Sequence, residues 1–298
     1  MDNINKNKTQ VDLITGFLGV GKTTYIAKYI DYLKSVGQTF AVIENEFGMA
    51  GVDSKILSMD NAVIKELSGG CICCSLKVNF HDMLVELSGH YDRIIVEPSG
   101  IFNPYDFFTI MKSLEVLKSC QMGCMITIVD PIMMNSDLTE DEIVIINSEL
   151  ENTGCVVVSK VDSLSDVIID IPDKCIYPTP LTQLSNADFK ILQNKLPDNK
   201  KIGNTIIHER IYQSCTVYPS KLYTINDINE IFTDISDHSN ILRVKGYVKS
   251  TVDDKCWLIN YSLGGNSAVE VLCDETITQI VNVIGNNLDR KWLKGVLK

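Results

Sequence analysis

Apolar and polar positions alternate along this chain in two different ways, and the change between them falls near residue 200. In the first two-thirds, short apolar runs alternate with stretches of helical spacing, a pattern typical of a parallel sheet flanked by helices. Strands are predicted over residues 11–15, 39–43, 93–96, 122–129 and 155–159, with a shorter candidate at 175–178. Helices are predicted over residues 22–35, 105–118 and 140–150.

A polar, turn-rich stretch at residues 196–204 predicts a linker. Beyond it we expect strands within residues 205–217, 242–248, 256–261 and 268–272, and helices over 225–235 and 276–288. Thr224 is placed to cap the first of these two helices. The pattern therefore predicts an α/β domain over residues 1–200 and a smaller α+β domain over residues 205–298.

Composition narrows the classes of partner. The 298 residues are 45% hydrophobic and 22% charged, which is ordinary for a globular protein. A net charge of -11 argues against a nucleic-acid partner, because phosphate backbones attract basic surfaces. The N-terminus is polar, and no apolar run approaches the roughly 18 residues of a membrane helix. We expect no membrane partner and a cytoplasmic location, in which the ten cysteines stay free.

Residues 16–23 match the phosphate-loop pattern G-x-x-x-x-G-K-[ST], between a predicted strand and a predicted helix. Backbone N–H groups of such a loop bind phosphate oxygens, and the N-terminus of the helix adds the positive end of its dipole. Lys22 is predicted to contact the β- and γ-phosphates as a catalytic residue, and the Thr23 hydroxyl to bind Mg²⁺. The loop's predicted nucleotide-binding residues are Gly16, Gly19, Val20, Gly21, Lys22, Thr23 and Thr24.

A nucleotide hydrolase also needs a carboxylate at the end of a neighbouring strand. Glu97 ends the run at residues 93–96, and we predict that it holds Mg²⁺ and takes part in catalysis. Gly100 is expected to bring a backbone N–H to the γ-phosphate. Asp130 is a weaker second carboxylate, and a solvent-exposed Glu97 is the alternative interpretation.

Ser159-Lys160-Val161-Asp162 follows an apolar run and resembles the N-K-x-D loop that reads guanine. Asp162 would accept hydrogen bonds from the base, and the alkyl stem of Lys160 would pack on the ring. Ser159 replaces the usual asparagine. These residues favour GTP over ATP, with an ordinary strand-to-helix loop as the alternative.

Three cysteines within four residues follow two glycines: Cys71, Cys73 and Cys74. Thiolates are soft ligands that suit zinc, copper(I) and similar ions, and three of them leave a position open for transfer. Buried cysteines and a redox pair are the competing interpretations. The other seven cysteines are expected in the core, and His81 and His90 on the surface of the helix that follows the cluster.

In order, GFLGVGKTT at residues 16–24, ENEFG at 44–48, GGCICC at 69–74, Glu97 and the K-x-D loop resemble the CobW-like GTPases. That family is grouped with the nickel-insertion GTPases of urease and hydrogenase maturation. Residues 243–246, Arg-Val-Lys-Gly, resemble the R-x-K-G strand of its second domain. Ser159 and the Ile-Phe pair after Gly100 depart from the family pattern and indicate a divergent subgroup.

The resemblance implies a P-loop NTPase fold and a GTP-dependent metallochaperone, with Cys71, Cys73 and Cys74 as metal ligands. Glu44 and Glu46 lie in the expected switch segment, where an oxygen ligand would be provided. The implied cofactors are GTP, Mg²⁺ and Zn²⁺ or another transition metal such as cobalt. The implied partner is a client metalloprotein, with a homodimer left open.

Two other functions stay open. A nucleotide-gated metal sensor or scaffold would act by partner binding without significant turnover. A small-molecule kinase would share the phosphate loop but have no use for the thiols. If the chain is a GTPase, we expect slow intrinsic turnover, since no arginine or glutamine is evident in a position to stabilise the transition state.

Overall fold

The computed structural model describes residues 8–44, 63–66, 74–98, 104–136, 138–166, 171, 174–198, 212–238, 240–252, 254–262, 265–273 and 278–297. The chain divides into two compact units, and each has a sheet of its own. No helix in these ranges is both long enough and apolar enough to cross a membrane.

The sheet of the first unit has six strands in the order β3-β2-β4-β1-β5-β6, and every neighbouring pair is parallel. The strands are β1 Thr9–Thr15, β2 Phe40–Glu44, β3 Val63–Glu66, β4 Arg93–Glu97, β5 Cys120–Val129 and β6 Cys155–Val158. Continuous apolar runs such as that of β4 form these strands because both faces of a parallel sheet are covered. The predicted α/β class is confirmed.

The helices of this unit are α1 Lys22–Ser35, α2 Cys74–Leu87, α3 Pro104–Met111, α4 Leu114–Ser119, α5 Pro131–Met134, α6 Glu140–Asn152 and α7 Asn186–Leu192, with short 3₁₀ turns at Leu164–Asp166 and Leu181–Gln183. Helix α1 has the predicted bounds. The single helix expected over 105–118 was wrong, because Ser113 takes extended backbone and separates α3 from α4. The candidate strand at 175–178 is one isolated bridge, between Val156 and Ile176.

Helices cover the sheet from two sides. On one side, Leu13 and Val96 pack in a core that includes Phe80 of α2 and Phe107 of α3. On the other side, α1 and α7 meet through aromatic rings, where Tyr25, Tyr29 and Tyr32 surround Phe189. The centre of the sheet is therefore closed on both faces, and strand ends are the places left for polar chemistry.

One buried ion pair joins the two central strands. The Asp12 carboxylate of β1 accepts from Arg93 Nη1 of β4 at 2.7 and 2.8 Å. It also accepts from the Cys124 backbone N–H at 2.8 Å and from the Tyr29 hydroxyl at 3.0 Å. Each Asp12 oxygen therefore has at least two donors, which is what a carboxylate with no exposed surface requires.

The second unit holds an antiparallel sheet in the order β10-β9-β8-β11-β7. Its elements are β7 Tyr212–Val217, α8 Ile225–Ser236, β8 Ile241–Lys249, β9 Lys255–Ser262, β10 Gly265–Leu272, β11 Ile280–Asn286 and α9 Arg290–Val296. Thr224 caps α8 as predicted, because its hydroxyl accepts from the Asp227 N–H and Asp227 accepts from the Thr224 N–H.

The closing helix predicted over 276–288 was wrong. Residues Ile280–Asn286 form β11, which pairs with β8 on one side and β7 on the other. Apolar residues in this segment happen to fit helical spacing, but valine and isoleucine favour strands, and a central strand buries both faces. Gly246 allows the close approach, since a Cβ at this position would collide with the Ile280 carbonyl of β11.

Three expectations about cysteines and histidines also change. Cys256 and Cys273 are joined by a disulfide, so the expectation that every cysteine is free was wrong. They are brought together because β9 and β10 form a hairpin in which Cys273 lies just past the partner of Cys256. Cys175 is exposed rather than in the core. His90 lies beyond the end of α2, whereas His81 on α2 pairs with Asp82 and Glu115.

We predict that Asp12→Ala lowers the free energy of unfolding by about 3 to 5 kcal/mol, because it leaves the Arg93 charge buried without its partner. Urea denaturation followed by circular dichroism measures the change. Tyr29→Phe is the matched control: it removes one hydrogen bond to the same carboxylate and should cost only about 1 kcal/mol. Equal losses for the two variants would contradict a structural ion pair.

Candidate nucleotide site

The phosphate loop connects β1 to α1 at the carboxyl edge of the sheet. Gly16, Gly19 and Gly21 have positive φ angles of 138°, 75° and 103°. A Cβ at Gly16 would collide with the Ile128 carbonyl of β5, so the loop passes too close to the sheet for any other residue. The predicted glycines therefore hold the backbone in the curled form that surrounds a phosphate group.

The first turn of α1 faces this loop. Gly21 precedes the helix and brings no side chain to cap its first N–H groups, which favours an anionic ligand there. The buried Lys22 ammonium donates to the Gly16 carbonyl at 2.8 Å and to the Phe17 carbonyl at 3.2 Å. Its positive charge is therefore held over the centre of the loop. Thr24, in the same turn, is exposed.

Thr23 and Glu97 are brought together from sequence positions far apart. The Thr23 hydroxyl donates to Glu97 Oε1 at 3.1 Å and lies 3.4 Å from Oε2. Glu97 is the last residue of β4 and is 6% exposed, so the alternative of a solvent-exposed glutamate is excluded. A hydroxyl and a carboxylate at this spacing are oxygen ligands of the kind that Mg²⁺ prefers, and the residues fit that ion.

Ser159 connects the loop after β6 to the phosphate loop. Its buried hydroxyl donates to the Val20 carbonyl at 2.6 Å and lies 3.2 Å from the Val129 carbonyl. The sequence marked Ser159 only as a departure from the usual asparagine. The short hydroxyl gives this position a structural task, since it fixes the Ser159–Asp162 loop against Val20.

Lys160 and Asp162 lie on the surface beside this contact. The Lys160 ammonium forms an ion pair with the buried Asp130 carboxylate at 2.9 Å, which holds its alkyl stem in place. Asp130 also caps α5 by accepting from the Ile132 N–H. Lys160 and the Ile132 N–H therefore engage both oxygens of the Asp130 carboxylate. The Asp162 carbonyl accepts from the Gln183 side chain, so a second segment supports the loop.

Sequence reasoning missed Glu149, in the last turn of α6. This side chain is 1% exposed, accepts from the Gly16 N–H and faces the Lys22 charge. Its Oε1 atom makes no hydrogen bond in the described part of the chain. Burial raises the pKa of Glu149 to about 8, although Lys22 and the Gly16 N–H act in the opposite direction. The available signal was its helical spacing, since Glu149 follows Ile145 and Ile146 by four and three residues and therefore lies on their buried face.

Other predicted site residues fall outside the described ranges: Gly100, Cys71, Cys73 and Glu46. Of Cys74, the structure describes the backbone alone, as the first residue of α2. Glu44 is described; it is buried and ends β2, in register with Glu97 of β4. Within the described ranges, no three His, Cys, Asp or Glu side chains are grouped to hold a metal ion.

A parallel sheet with this loop, a lysine over it and a threonine–glutamate pair at its edge defines a P-loop nucleotide-binding protein. The family described as CobW/HypB/UreG, nucleotide-binding domain, matches residues 10–173. Because this match covers more than half of the 298 residues, the chain belongs to the CobW/HypB/UreG family.

Individual relatives agree with this assignment. The chain is 36% identical over 135 residues to the zinc chaperone CobW of Pseudomonas aeruginosa, covering 41% of this chain and 36% of the relative. It is 32% identical over 166 residues to the zinc chaperone YjiA of Escherichia coli, covering 52% and 50%. The matches thus span half or less of these relatives' lengths. The solved structure of Zn(II)-bound YjiA GTPase from E. coli is similar over 98% of this chain and 99% of that chain, at 18% identity and a TM-score of 0.39.

The raised pKa of Glu149 predicts a pH-dependent stability. The folded state keeps the proton up to a pH of about 8, whereas the unfolded chain releases it near the usual 4.5. The contribution of Glu149 to the free energy of unfolding is therefore complete below a pH of about 4.5 and is lost as the pH rises to about 8. The slope of this loss is at most about 1.4 kcal/mol per pH unit. Glu149→Gln keeps an acceptor for the Gly16 N–H and should remove this slope.

Urea denaturation at a series of pH values measures the effect as the difference between the wild type and the variant. Glu151→Gln is the control, because Glu151 is exposed in the same helix, and it should keep the wild-type slope. Parallel pH profiles for Glu149→Gln and the wild type would show that Glu149 does not hold a proton in the folded chain.

Proposed function

We propose that this chain is a GTP-dependent metallochaperone that binds and hydrolyses GTP and couples this cycle to the transfer of zinc or cobalt to a client metalloprotein. The observation that carries the proposal is the contact between the Thr23 hydroxyl and the Glu97 carboxylate, 3.1 Å apart, beside the phosphate loop. Zinc chaperones among the relatives support the choice of metal cargo.

In this proposal the phosphate loop and Lys22 bind the β- and γ-phosphates. Thr23 and Glu97 would hold Mg²⁺, which neutralises charge that develops on the phosphate oxygens during hydrolysis. Lys22 already lies buried over the loop, so little rearrangement is needed to exchange its carbonyl partners for phosphate. Intrinsic turnover is slow in this account, because the proposed catalytic residues are Lys22 and Glu97 alone.

Asp162 and Lys160 give the preference for guanine. Lys160 is held by Asp130 at 2.9 Å, with its stem available to a ring that lies against it. Asp162 is exposed on the same loop, where its carboxylate can accept two hydrogen bonds from guanine N–H groups. Adenine has an acceptor at one of these positions, so it would not donate a hydrogen bond there to the Asp162 carboxylate.

Strand β3 ends at the edge of the sheet that carries the phosphate site, and the predicted thiol ligands follow β3 along the chain. Glu66 ends β3 in register with Glu44 of β2, which is in register with Glu97. Neighbouring strands lie about 4.8 Å apart, so the end of β3 is roughly 10 Å from the end of β4. Residues 67–73 then connect β3 to the start of α2 at Cys74.

This topology supports Cys71, Cys73 and Cys74 as ligands. Helix α2 is the crossover between β3 and β4, so it starts at the carboxyl edge of the parallel sheet. A helix start also favours thiolate over thiol through its N–H groups. Glu44 lies between the two regions and could add an oxygen ligand. An ion bound there would respond to the nucleotide through the ends of β2 and β4.

A sensor or scaffold that binds nucleotide and metal without significant turnover is the second candidate. It is favoured by the same residues, because Lys22, Glu97 and the thiols are sufficient for binding. A measured rate of GTP hydrolysis separates the two functions.

Guanine preference is tested with Asp162→Ala. Loss of the charged acceptor should weaken GTP affinity by about 10- to 150-fold, while ATP affinity changes little. Fluorescent nucleotide titration measures both constants. Asp31→Ala, an exposed aspartate on α1, should leave both unchanged. An equal loss for GTP and ATP would contradict base reading by Asp162.

The coupling of GTP binding to metal release is tested on protein purified without chelator. Metal analysis gives the bound metal, and a second measurement follows the metal released after GTP is added. Lys22→Ala should keep the metal but lose GTP-triggered release. Cys73→Ser combined with Cys74→Ser should weaken metal binding at least about tenfold and keep GTP binding. Cys215→Ser, a buried thiol in the other unit, is the control and should change neither.

A measurement of GTP hydrolysis with zinc, with cobalt and without metal completes the test. Hydrolysis no faster than the uncatalysed reaction in every condition would support the sensor or scaffold. Metal content that survives the double cysteine change would remove the metallochaperone proposal and leave the kinase alternative.

A further inference from the structure

Two cysteines outside the nucleotide site lie in contact. Cys155 is the first residue of β6 and has no exposed surface, whereas Cys175 is exposed. Their sulfur atoms are 3.4 Å apart. Both were expected to be ordinary core cysteines, so this contact calls for an explanation of its own.

Backbone hydrogen bonds hold the pair together. The Val156 N–H donates to the Cys175 carbonyl at 2.8 Å, and the Tyr177 N–H donates to the Val156 carbonyl at 2.8 Å. The two segments therefore lie side by side as parallel strands do, with backbones about 4.8 Å apart. Disulfides need Cα atoms roughly 4.4 to 6.8 Å apart, so the backbone already has a suitable spacing.

The two sulfurs have different surroundings. The Cys155 thiol donates to Cys175, and burial, followed by this hydrogen bond, raises the pKa of Cys155 to about 12. Cys155 therefore keeps its proton in the reduced pair, and its sulfur becomes a nucleophile only as that proton is transferred away. On the other side, the Lys195 ammonium donates to the Cys175 sulfur at 3.9 Å. Two donors thus point at the exposed sulfur, and the positive charge of Lys195 lies next to the atom at which an oxidant would react.

We propose that Cys175 is a thiol-oxidation site for hydrogen peroxide and that Cys155 is its resolving cysteine. The Cys175 sulfur attacks one peroxide oxygen, the O–O bond breaks, and the second oxygen leaves as water with the Cys175 proton. The Cys155 sulfur then attacks the Cys175 sulfenic acid, the S–O bond breaks, and hydroxide leaves as water with the Cys155 proton. Two thiols and one peroxide become one disulfide and two waters.

The new bond would close the stretch from residue 155 to residue 175, which carries Lys160 and Asp162. Cys120, Cys124 and Cys215 provide an internal comparison, because they are free but buried. Cys175 therefore differs from these three cysteines because it is exposed to solvent and contacts both a second sulfur and the Lys195 ammonium. Peptide mapping also separates it from Cys71, Cys73 and Cys74.

The experiment treats the full chain with increasing hydrogen peroxide, blocks the remaining thiols and identifies cross-linked peptides by mass spectrometry. We expect the 155–175 disulfide to form at lower peroxide than any modification of Cys120, Cys124 or Cys215. Cys155→Ala should stop at the Cys175 sulfenic acid, which dimedone traps. Cys175→Ser should abolish the cross-link and leave Cys155 unmodified.

Lys195→Gln should slow formation of the disulfide by about fivefold, the effect of one charge about 4 Å away in water. Cys215→Ser is the matched control and should not change the rate. The proposal fails if Cys175 reacts no faster than the three buried cysteines. It also fails if dimedone labels Cys175 equally in the wild type and in Cys155→Ala, since Cys155 would then not resolve the sulfenic acid.

Discussion

The parallel pairing of β1 with β4 and β5 fixes the parts of the nucleotide site, because parallel strands end at one edge of a sheet. The phosphate loop leaves β1 and Glu97 ends β4, so the register between these strands brings Glu97 to Thr23. The buried ion pair of Asp12 with Arg93 joins the same two strands and helps to hold that register. A shift of either strand would separate the hydroxyl from the carboxylate.

The phosphate loop is held in shape from several directions. Lys22 donates to carbonyls of the loop itself, Ser159 donates to Val20, and Glu149 accepts from Gly16. Each contact orients a backbone group that would otherwise be free to rotate. A loop ordered in advance loses less conformational freedom when phosphate binds, and more of the contact energy remains for affinity.

In the proposed function, metal binding and nucleotide binding belong to the same edge of the sheet. The thiol-bearing stretch at residues 67–73 joins β3 to α2, while Glu44 and Glu97 end the next two strands of the sheet. In that proposal, a change at the γ-phosphate would reach the metal ligands through the ends of neighbouring strands.

Local sequence determined the phosphate loop, the bounds of α1 and the Thr224 cap, because glycine conformation, helical spacing and capping depend on residues a few positions apart. Tertiary structure decided the rest. Residues Ile280–Asn286 form a strand because they pair on both sides, which spacing along the chain does not reveal. Glu149 at the loop and the contact of Cys155 with Cys175 likewise depend on segments far apart in sequence. Burial and contact between distant segments arise only when the sheet assembles.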